Sequence, residues 1–205
     1  GALSLEDRYL CVLAGLMLQK NEQQLRRHVR GALKFGLSAR TILEVFVQCG
    51  LYGGFAIAEN AMAIAHEVFA QEGAKVEMEQ DGNETLEEFT EMGGLMLAAL
   101  HGERGTKGYA DPDNQTTGDL YSMAIQYGYG WLWHRAGLNR RQRMICAVAA
   151  FTVLRLDSQL RKFGRSALSV GLSKEEIVEA VMQTAPYGGF PPALNALATL
   201  DEVLP

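Results

Sequence analysis

The sequence predicts an all-α fold in which one helical unit occurs twice. Sliding the chain against itself by 135 residues aligns 3–69 with 138–204 without a gap, and 26 of the 67 aligned positions are identical. Unrelated segments of average composition would share only about 4 such positions. No segment alternates apolar and polar residues with turn signals at its ends, which argues against a sheet. Two copies with the same apolar surface are expected to pack about a pseudo-twofold axis within the chain.

Each copy is predicted to contain three helices. The first begins after Ser4 or Asn139, and Asn139 with Gln142 has the spacing of a capping box. The almost continuous apolar run that follows predicts a helix buried on most sides. A second helix is expected at roughly 22–34 and again at roughly 157–169.

Glycine and serine mark the change from the second helix to the third. Gly36 and Gly171 are expected to end the second helices, because glycine adopts the left-handed conformation after a helix end. Ser38 and Ser173 then cap the third helices. Each third helix runs into the sequence Tyr-Gly-Gly-Phe, whose glycines weaken a helix. The repeated motif is therefore predicted to be a hinge between helices.

The segment between the copies is predicted to contain two further helices. Its acidic beginning at 77–91 reads as a solvated linker that runs into a helix at 84–100. The stretch at 102–118 is rich in Gly, Asp and Asn and predicts a loop, long enough to be a lid or a pocket wall. Another helix is expected at about 119–134.

Composition and charge describe an ordinary soluble globular protein. The chain has 205 residues, is 48% hydrophobic and 21% charged, and carries a formal charge of -5, which does not favour a nucleic-acid partner. Its longest apolar run, at 144–154, is shorter than the roughly 20 residues that cross a bilayer. We expect no membrane partner and a cytoplasmic location.

Cysteine and histidine spacing predicts neither disulfides nor a metal site. Three widely spaced cysteines contain no C-x-x-C pair, and the four histidines show no H-x-x-x-H spacing. We therefore expect no metal and no other cofactor.

The motifs resemble those of a known family. "YGYGWLWHRAGLNRRQR" and "GLSKEEIVEAVMQTAPYGGFPPALNA" are similar to the carboxymuconolactone decarboxylase family, whose fold is alkylhydroperoxidase D-like. The resemblance implies two tandem units, 1–73 without the family's N-terminal helices and 74–205 more complete. It also implies assembly into hexameric rings, which predicts a homotrimer, a pseudo-hexamer, for a two-unit chain.

The same resemblance selects the candidate catalytic residues. The peroxidase branch of the family carries a C-x-x-C pair where this chain has Asn21 and Gln24, so thiol peroxidase chemistry is not expected. In "QLRRHVRGAL" the decarboxylase branch usually has Glu in place of Gln24 and His in place of His28. Imidazole exchanges protons near neutral pH, whereas the matched Phe163 cannot titrate. His28 is the predicted proton carrier, with Gln24 beside it to orient it or to bind a substrate oxygen.

Other residues are candidates for substrate binding. Arginine holds a carboxylate with two parallel hydrogen bonds, and aromatic or small polar side chains form pocket walls. The predicted substrate-binding residues are Arg8, Arg30, Cys49, Tyr52, Trp131 and His134.

The resemblance implies an enzyme that acts on a small molecule. The expected function is cofactor-independent decarboxylation of a small unsaturated lactone, similar to 4-carboxymuconolactone, with proton transfer by His28. Because Gln24 is an amide and not a carboxylate, an isomerase or cyclase acting on a related cyclic substrate is an alternative. A non-catalytic, ring-forming structural or binding protein is the other.

Overall fold

A computed structural model describes residues 1–77, 82–108, 111 and 113–205. Within these residues it contains ten α-helices and no strand, which confirms the predicted all-α class. The chain forms two compact units, one made of Gly1–Met78 with Gly137–Pro205 and the other of Glu79–Ala136. Both repeat copies thus belong to one compact unit, while the predicted division between residues 73 and 74 stays a prediction about sequence units. Among the described helices, none is long and apolar enough to cross a membrane.

Each copy contributes four helices to the first unit, because the predicted third helix is divided at the glycine pair. The first copy supplies α1 (Leu5–Leu18), α2 (Glu22–Phe35), α3 (Ala39–Gly53) and α4 (Phe55–Glu72), and the second copy supplies α7 (Arg140–Leu154), α8 (Asp157–Ser169), α9 (Lys174–Gly188) and α10 (Phe190–Asp201).

The helix ends follow the predicted caps. Asn139 forms the capping box that opens α7, and Ser173 forms the one that opens α9. Gly36 closes α2 with a φ of 112°. In the second copy α8 spans Asp157–Ser169 as predicted, Val170 is its C-cap residue, and Gly171 follows with a φ of 89°. Local capping chemistry is therefore readable in this sequence.

The two glycines of each Tyr-Gly-Gly-Phe motif are required for different reasons. Gly54 and Gly189 have φ angles of 102° and 99°, which side chains with a Cβ rarely adopt. A Cβ on Gly53 would lie only 2.2 Å from a methyl group of Leu18, and a Cβ on Gly188 would meet the matched residue of α7 at 2.8 Å. The motif therefore turns the chain while packing the end of the third helix against the end of the first.

Two matched ion pairs connect the copies, and each joins the first helix of one copy to the third helix of the other. Arg8 on α1 contacts Glu179 on α9 at 2.8 Å, and the matched Arg143 on α7 contacts Glu44 on α3 at 3.0 Å. The first pair keeps 31% and 12% side-chain exposure, whereas the second is buried at 0% and 1%. Arg143 also donates to Gln48 Oε1 at 2.9 Å. The first helix of each copy thus pairs with the third helix of the other.

The packing of α1 against α7 has the same reciprocity. Asp7 accepts a hydrogen bond from Arg141 Nη1, and Glu6 accepts one from Gln142 Nε2, both at 2.9 Å. At the 135-residue offset these two contacts join the same pair of positions with the copies exchanged. Such exchange is what a pseudo-twofold relation between α1 and α7 produces.

The second unit contains the segment between the copies. Its helical elements are α5 (Leu86–His101), a 3₁₀ turn (Gly102–Thr106), α6 (Gly118–Ala124), a π-helix (Ile125–Trp131) and a 3₁₀ turn (Leu132–His134). The helix predicted at about 119–134 is present, but it changes from α to π at Ile125 and to 3₁₀ at Leu132. Glycines disfavour a regular α-helix there, and Gly130 lies so close to α5 that a Cβ would be 2.1 Å from the Phe89 carbonyl oxygen. Part of the predicted linker at 77–91 lies outside the described residues.

The difference in burial between the two matched ion pairs predicts a difference in stability. Arg143→Ala removes the cross-copy partner of the buried Glu44 carboxylate, which keeps only its ion pair with Arg40, and it also removes a donor to Gln48, so we expect the free energy of unfolding to fall by about 2–4 kcal/mol. Arg8→Ala removes the partly exposed pair, and we expect a loss of about 0–1 kcal/mol. Urea unfolding of the two variants and the wild type measures both values. Equal losses would contradict the role assigned to the buried pair.

Candidate functional site

His28 lies at the edge of the core because of the pattern of α2. Asn21 caps the helix, because its side-chain oxygen accepts a hydrogen bond from the main-chain N–H of Gln24. Leu25 and Val29 are buried along the face of α2 that packs inward. His28 is next to that stripe on the helix surface and is half-buried. Its ring therefore combines a fixed packing environment with access from outside.

Both ring nitrogens of His28 have a partner. Nδ1 lies 2.8 Å from the Gln24 carbonyl oxygen, and Nε2 lies 3.0 Å from the hydroxyl oxygen of Tyr187. A carbonyl oxygen only accepts hydrogen bonds, so Nδ1 must carry a proton in this arrangement. In the neutral ring Nε2 then accepts from the Tyr187 hydroxyl, and in the protonated ring Nε2 donates to it. Proton exchange at His28 is thereby directed to Nε2.

Tyr187 reaches His28 from the other repeat copy. It is the tyrosine of the second Tyr-Gly-Gly-Phe motif, near the end of α9, and Gly188 seats that end against Val153 of α7. The rings of His28 and Tyr187 meet edge to face, with centroids 5.3 Å apart and an angle of 83°. One copy thus supplies the imidazole and the other supplies the phenol.

The matched position in the other half of the unit contains no such pair. Tyr52 faces Phe163 with ring centroids 6.4 Å apart and Phe151 at 4.6 Å. Its hydroxyl oxygen accepts a hydrogen bond from Gln48 Nε2 at 2.9 Å. Burial raises the pKa of Tyr52 far above its usual range. Among the described residues, this half has an aromatic cluster where the first has a His–Tyr pair.

Gln24 and Arg8 have contacts that their predicted roles did not include. Gln24 contacts His28 through its main-chain carbonyl group, and not through the side-chain amide. Arg8 is bound to Glu179, which lies about two turns before Tyr187 on α9. Arg8 therefore pairs with the helix that carries Tyr187.

Arg30 lies on the other flank of α2. Its Nε donates to Glu72 at 2.7 Å and its Nη2 to Gln71 at 2.6 Å, both on α4. At about 100° per residue, Arg30 is about 200° around the helix from His28. The structure does not bring these two predicted residues together.

The remaining predicted binding residues are placed in other environments. Cys49 is fully buried, with its sulfur 4.0 Å from the Cys146 carbonyl oxygen. Trp131 and His134 belong to the other compact unit, where Trp131 stacks on Tyr127 with centroids 5.2 Å apart and His134 is exposed. Within the part of the chain that the structure describes, no three His, Cys, Asp or Glu side chains form a group suited to a metal ion.

Tyr187 was missed by sequence reasoning, which chose Tyr52 of the first motif. The signal was the repeat itself. Because the third helix of each copy packs against the other copy, the tyrosine of each motif faces the residue of the other copy that corresponds to position 28. That rule matches Tyr187 with His28 and Tyr52 with Phe163, but it requires the packing of the copies as well as their alignment.

Comparison with known proteins identifies the family. The sequence profile described as "Carboxymuconolactone decarboxylase family" matches residues 1–67 and 118–202, which together are more than half of the chain. The chain belongs to this family. This membership confirms the predicted resemblance and agrees with the all-α fold.

Three curated relatives of this family member are similar over part of their length. The 4-carboxymuconolactone decarboxylase of Acinetobacter baylyi is 27% identical over 90 residues, 44% of this chain and 67% of that protein. An uncharacterized 15.0 kDa protein of Paracoccus denitrificans is 32% identical over 38% of this chain and 60% of that protein. The nitrosuccinic acid decarboxylase npaB of Metarhizium robertsii is 28% identical over 40% of this chain and 57% of that protein. The matched part of the chain thus spans between 57% and 67% of the length of these relatives.

The environment of the cysteines predicts unreactive thiols. Cys11, Cys49 and Cys146 are all buried and free. Burial raises the pKa of Cys11, and a hydrogen bond with Cys146 together with burial raises the pKa of Cys49. Thiols with raised pKa values form little thiolate, which is the reactive species. We expect a thiol-specific reagent to label no cysteine quickly in the native protein and all three after unfolding, as measured by mass spectrometry. Rapid native labelling of Cys49 would contradict this environment.

Proposed function

We propose that this family member is a cofactor-independent decarboxylase of a small unsaturated lactone or cyclic acid, with His28 carrying the proton. The observation that supports it is the fixed orientation of the His28 ring, with Nδ1 on the Gln24 carbonyl group and Nε2 as the exchanging nitrogen. Two of the three relatives are named decarboxylases, of 4-carboxymuconolactone and of nitrosuccinic acid. The substrate class is carried over from those names as part of the proposal.

The reaction needs a proton at a defined place. When the carbon–carboxylate bond breaks, carbon dioxide leaves and the electron pair moves into the adjacent unsaturated lactone or carbonyl group. A hydrogen-bond donor or cation lowers the energy of that charge, and an acid then returns a proton to carbon. His28 fits the role of proton source for this step, because its ring is half-buried, held at one nitrogen and hydrogen-bonded to a hydroxyl group at the other.

Arg8 is the better of the two arginines for holding the substrate carboxylate. It is bound to Glu179 on the same helix as Tyr187, and its side chain keeps 31% exposure. Arg30, by contrast, is bound to α4 on the opposite flank of α2. Roles for Cys49, Tyr52, Trp131 and His134 in substrate binding remain predictions, as does a cytoplasmic site of action.

An isomerase or cyclase is a second candidate for the same site. Gln24 supplies a main-chain acceptor to His28 and has an amide, which cannot act as an acid or base. One proton carrier is enough for an enolisation or a ring isomerisation, and neither reaction needs a carboxylate beside His28. The difference between the two candidates is whether carbon dioxide is released.

The proposal is tested with γ-carboxymuconolactone and the full chain. We expect release of carbon dioxide with loss of the ring absorbance. In His28→Gln the side chain still forms hydrogen bonds but can no longer take up and release a proton, so kcat should fall by about 10²–10⁴-fold. The control is His66→Gln on the exposed side of α4, which should keep wild-type kcat.

The other outcomes separate the alternatives. Loss of the ring absorbance without carbon dioxide would refute decarboxylation and favour isomerisation. No change with any tested lactone would favour a non-catalytic binding or structural protein. A fully active His28→Gln variant would remove His28 as the proton carrier.

We also propose that the chain assembles as a homotrimer. Phe55 and Phe190, the last residues of the two repeated motifs, are 58% and 68% exposed. Large apolar side chains at matched exposed positions are suited to contacts between subunits. Light scattering should give three times the 22.5 kDa mass of one chain. A mass equal to one chain would contradict the trimer.

A further inference from the structure

We propose that Tyr187, and not His28, donates the proton to the substrate, and that His28 then reprotonates Tyr187. This inference rests on the proposed function, since it assigns roles within the same proton transfer. Both ring nitrogens of His28 are already hydrogen-bonded within the protein, so neither faces a substrate directly. Nδ1 is held by the Gln24 carbonyl group and Nε2 is covered by the Tyr187 hydroxyl group at 3.0 Å.

The next atom outward from Nε2 is the oxygen of Tyr187. A hydroxyl group has one hydrogen to donate and two lone pairs to accept with, so one hydrogen bond to His28 leaves capacity for a second partner. Among the described residues, the structure gives the Tyr187 hydroxyl no hydrogen bond other than the one to His28. The side chain is half-buried at the end of α9, and its hydroxyl group is oriented by its hydrogen bond to His28.

The proposed step balances in protons and charge. The carbon–carboxylate bond breaks, carbon dioxide leaves, and the electron pair forms an enolate on the remaining ring. The Tyr187 O–H bond breaks as the new C–H bond of the product forms. The Nε2–H bond of protonated His28 then breaks to restore the phenol, and neutral His28 keeps its proton on Nδ1. Solvent protonates His28 again, so one proton is consumed for each carbon dioxide released.

The other half of the unit provides an internal comparison. Tyr52 occupies the matched position of the repeat, but its neighbour is Phe163, which has no proton to supply. Its oxygen accepts from Gln48 Nε2, and burial raises its pKa far above the usual range of a phenol. The same motif is therefore present twice, but of its two tyrosines only Tyr187 is hydrogen-bonded to a histidine that can supply a proton.

The test compares Tyr187→Phe with Tyr52→Phe in the full chain. Tyr187→Phe keeps the ring that packs against His28 and removes only the hydroxyl group. We expect kcat for carbon dioxide release to fall by about 10²–10⁴-fold with little change in KM, because the lost group acts on the proton transfer. Tyr52 has no histidine beside it to supply a proton, so an effect of Tyr52→Phe through its predicted role in substrate binding should appear in KM, with a far smaller loss of kcat than in Tyr187→Phe. A Tyr187→Phe variant with wild-type kcat, beside an inactive His28→Gln, would show that His28 acts on the substrate directly and would overturn the inference.

A second readout does not depend on activity. In ¹⁵N-histidine-labelled protein, Tyr187→Phe should shift the Nε2 resonance of His28, because Nε2 loses its hydrogen-bond partner, whereas Tyr52→Phe should leave that resonance in place. Unchanged His28 resonances in Tyr187→Phe would show that the pair is absent in solution and would overturn this inference alone. A wild-type protein that releases no carbon dioxide from the lactone would instead count against the proposed function alone.

Discussion

Arg143 is the residue on which the packing of the two copies depends. Its guanidinium group is completely buried, and its partners Glu44 and Gln48 both come from the opposite copy. A buried charge is tolerated only when it is paired and hydrogen-bonded, so the first helix of one copy and the third helix of the other must meet in a single register. The matched Arg8–Glu179 pair repeats the contact in a more exposed setting.

This register has a consequence for chemistry. Because each third helix lies against the opposite copy, the tyrosine of each Tyr-Gly-Gly-Phe motif faces a residue of the second helix of that other copy. In one half the pair is Tyr187 with His28, and in the other it is Tyr52 with Phe163. Matched backbones therefore carry two different environments. The His-to-Phe difference between the copies thus leaves a His–Tyr pair at one of two equivalent positions and an aromatic cluster at the other, and the proposed proton transfer belongs to the first.

Much of the fold was readable from the sequence because its signals are local. Capping residues such as Asn139, and glycines such as Gly36, fix helix ends through contacts within a few residues. The π-helix around Gly130 was not readable, because it depends on contact with α5. His28 and Gln24 are one turn apart and were predicted together, whereas Tyr187 is distant in sequence and arrives through packing. The side chain of Gln24 was given a role that its main chain performs, a distinction that spacing does not make.

His28 is held as the Nδ1–H tautomer, with Nε2 hydrogen-bonded to Tyr187 of the other copy. The most direct measurement is the tautomer of His28 in the wild-type protein, read from the two imidazole ¹⁵N chemical shifts at a pH where the ring is neutral. We expect a protonated Nδ1, hydrogen-bonded to the Gln24 carbonyl group, and an unprotonated Nε2. A proton found on Nε2 in the neutral ring would contradict this expectation.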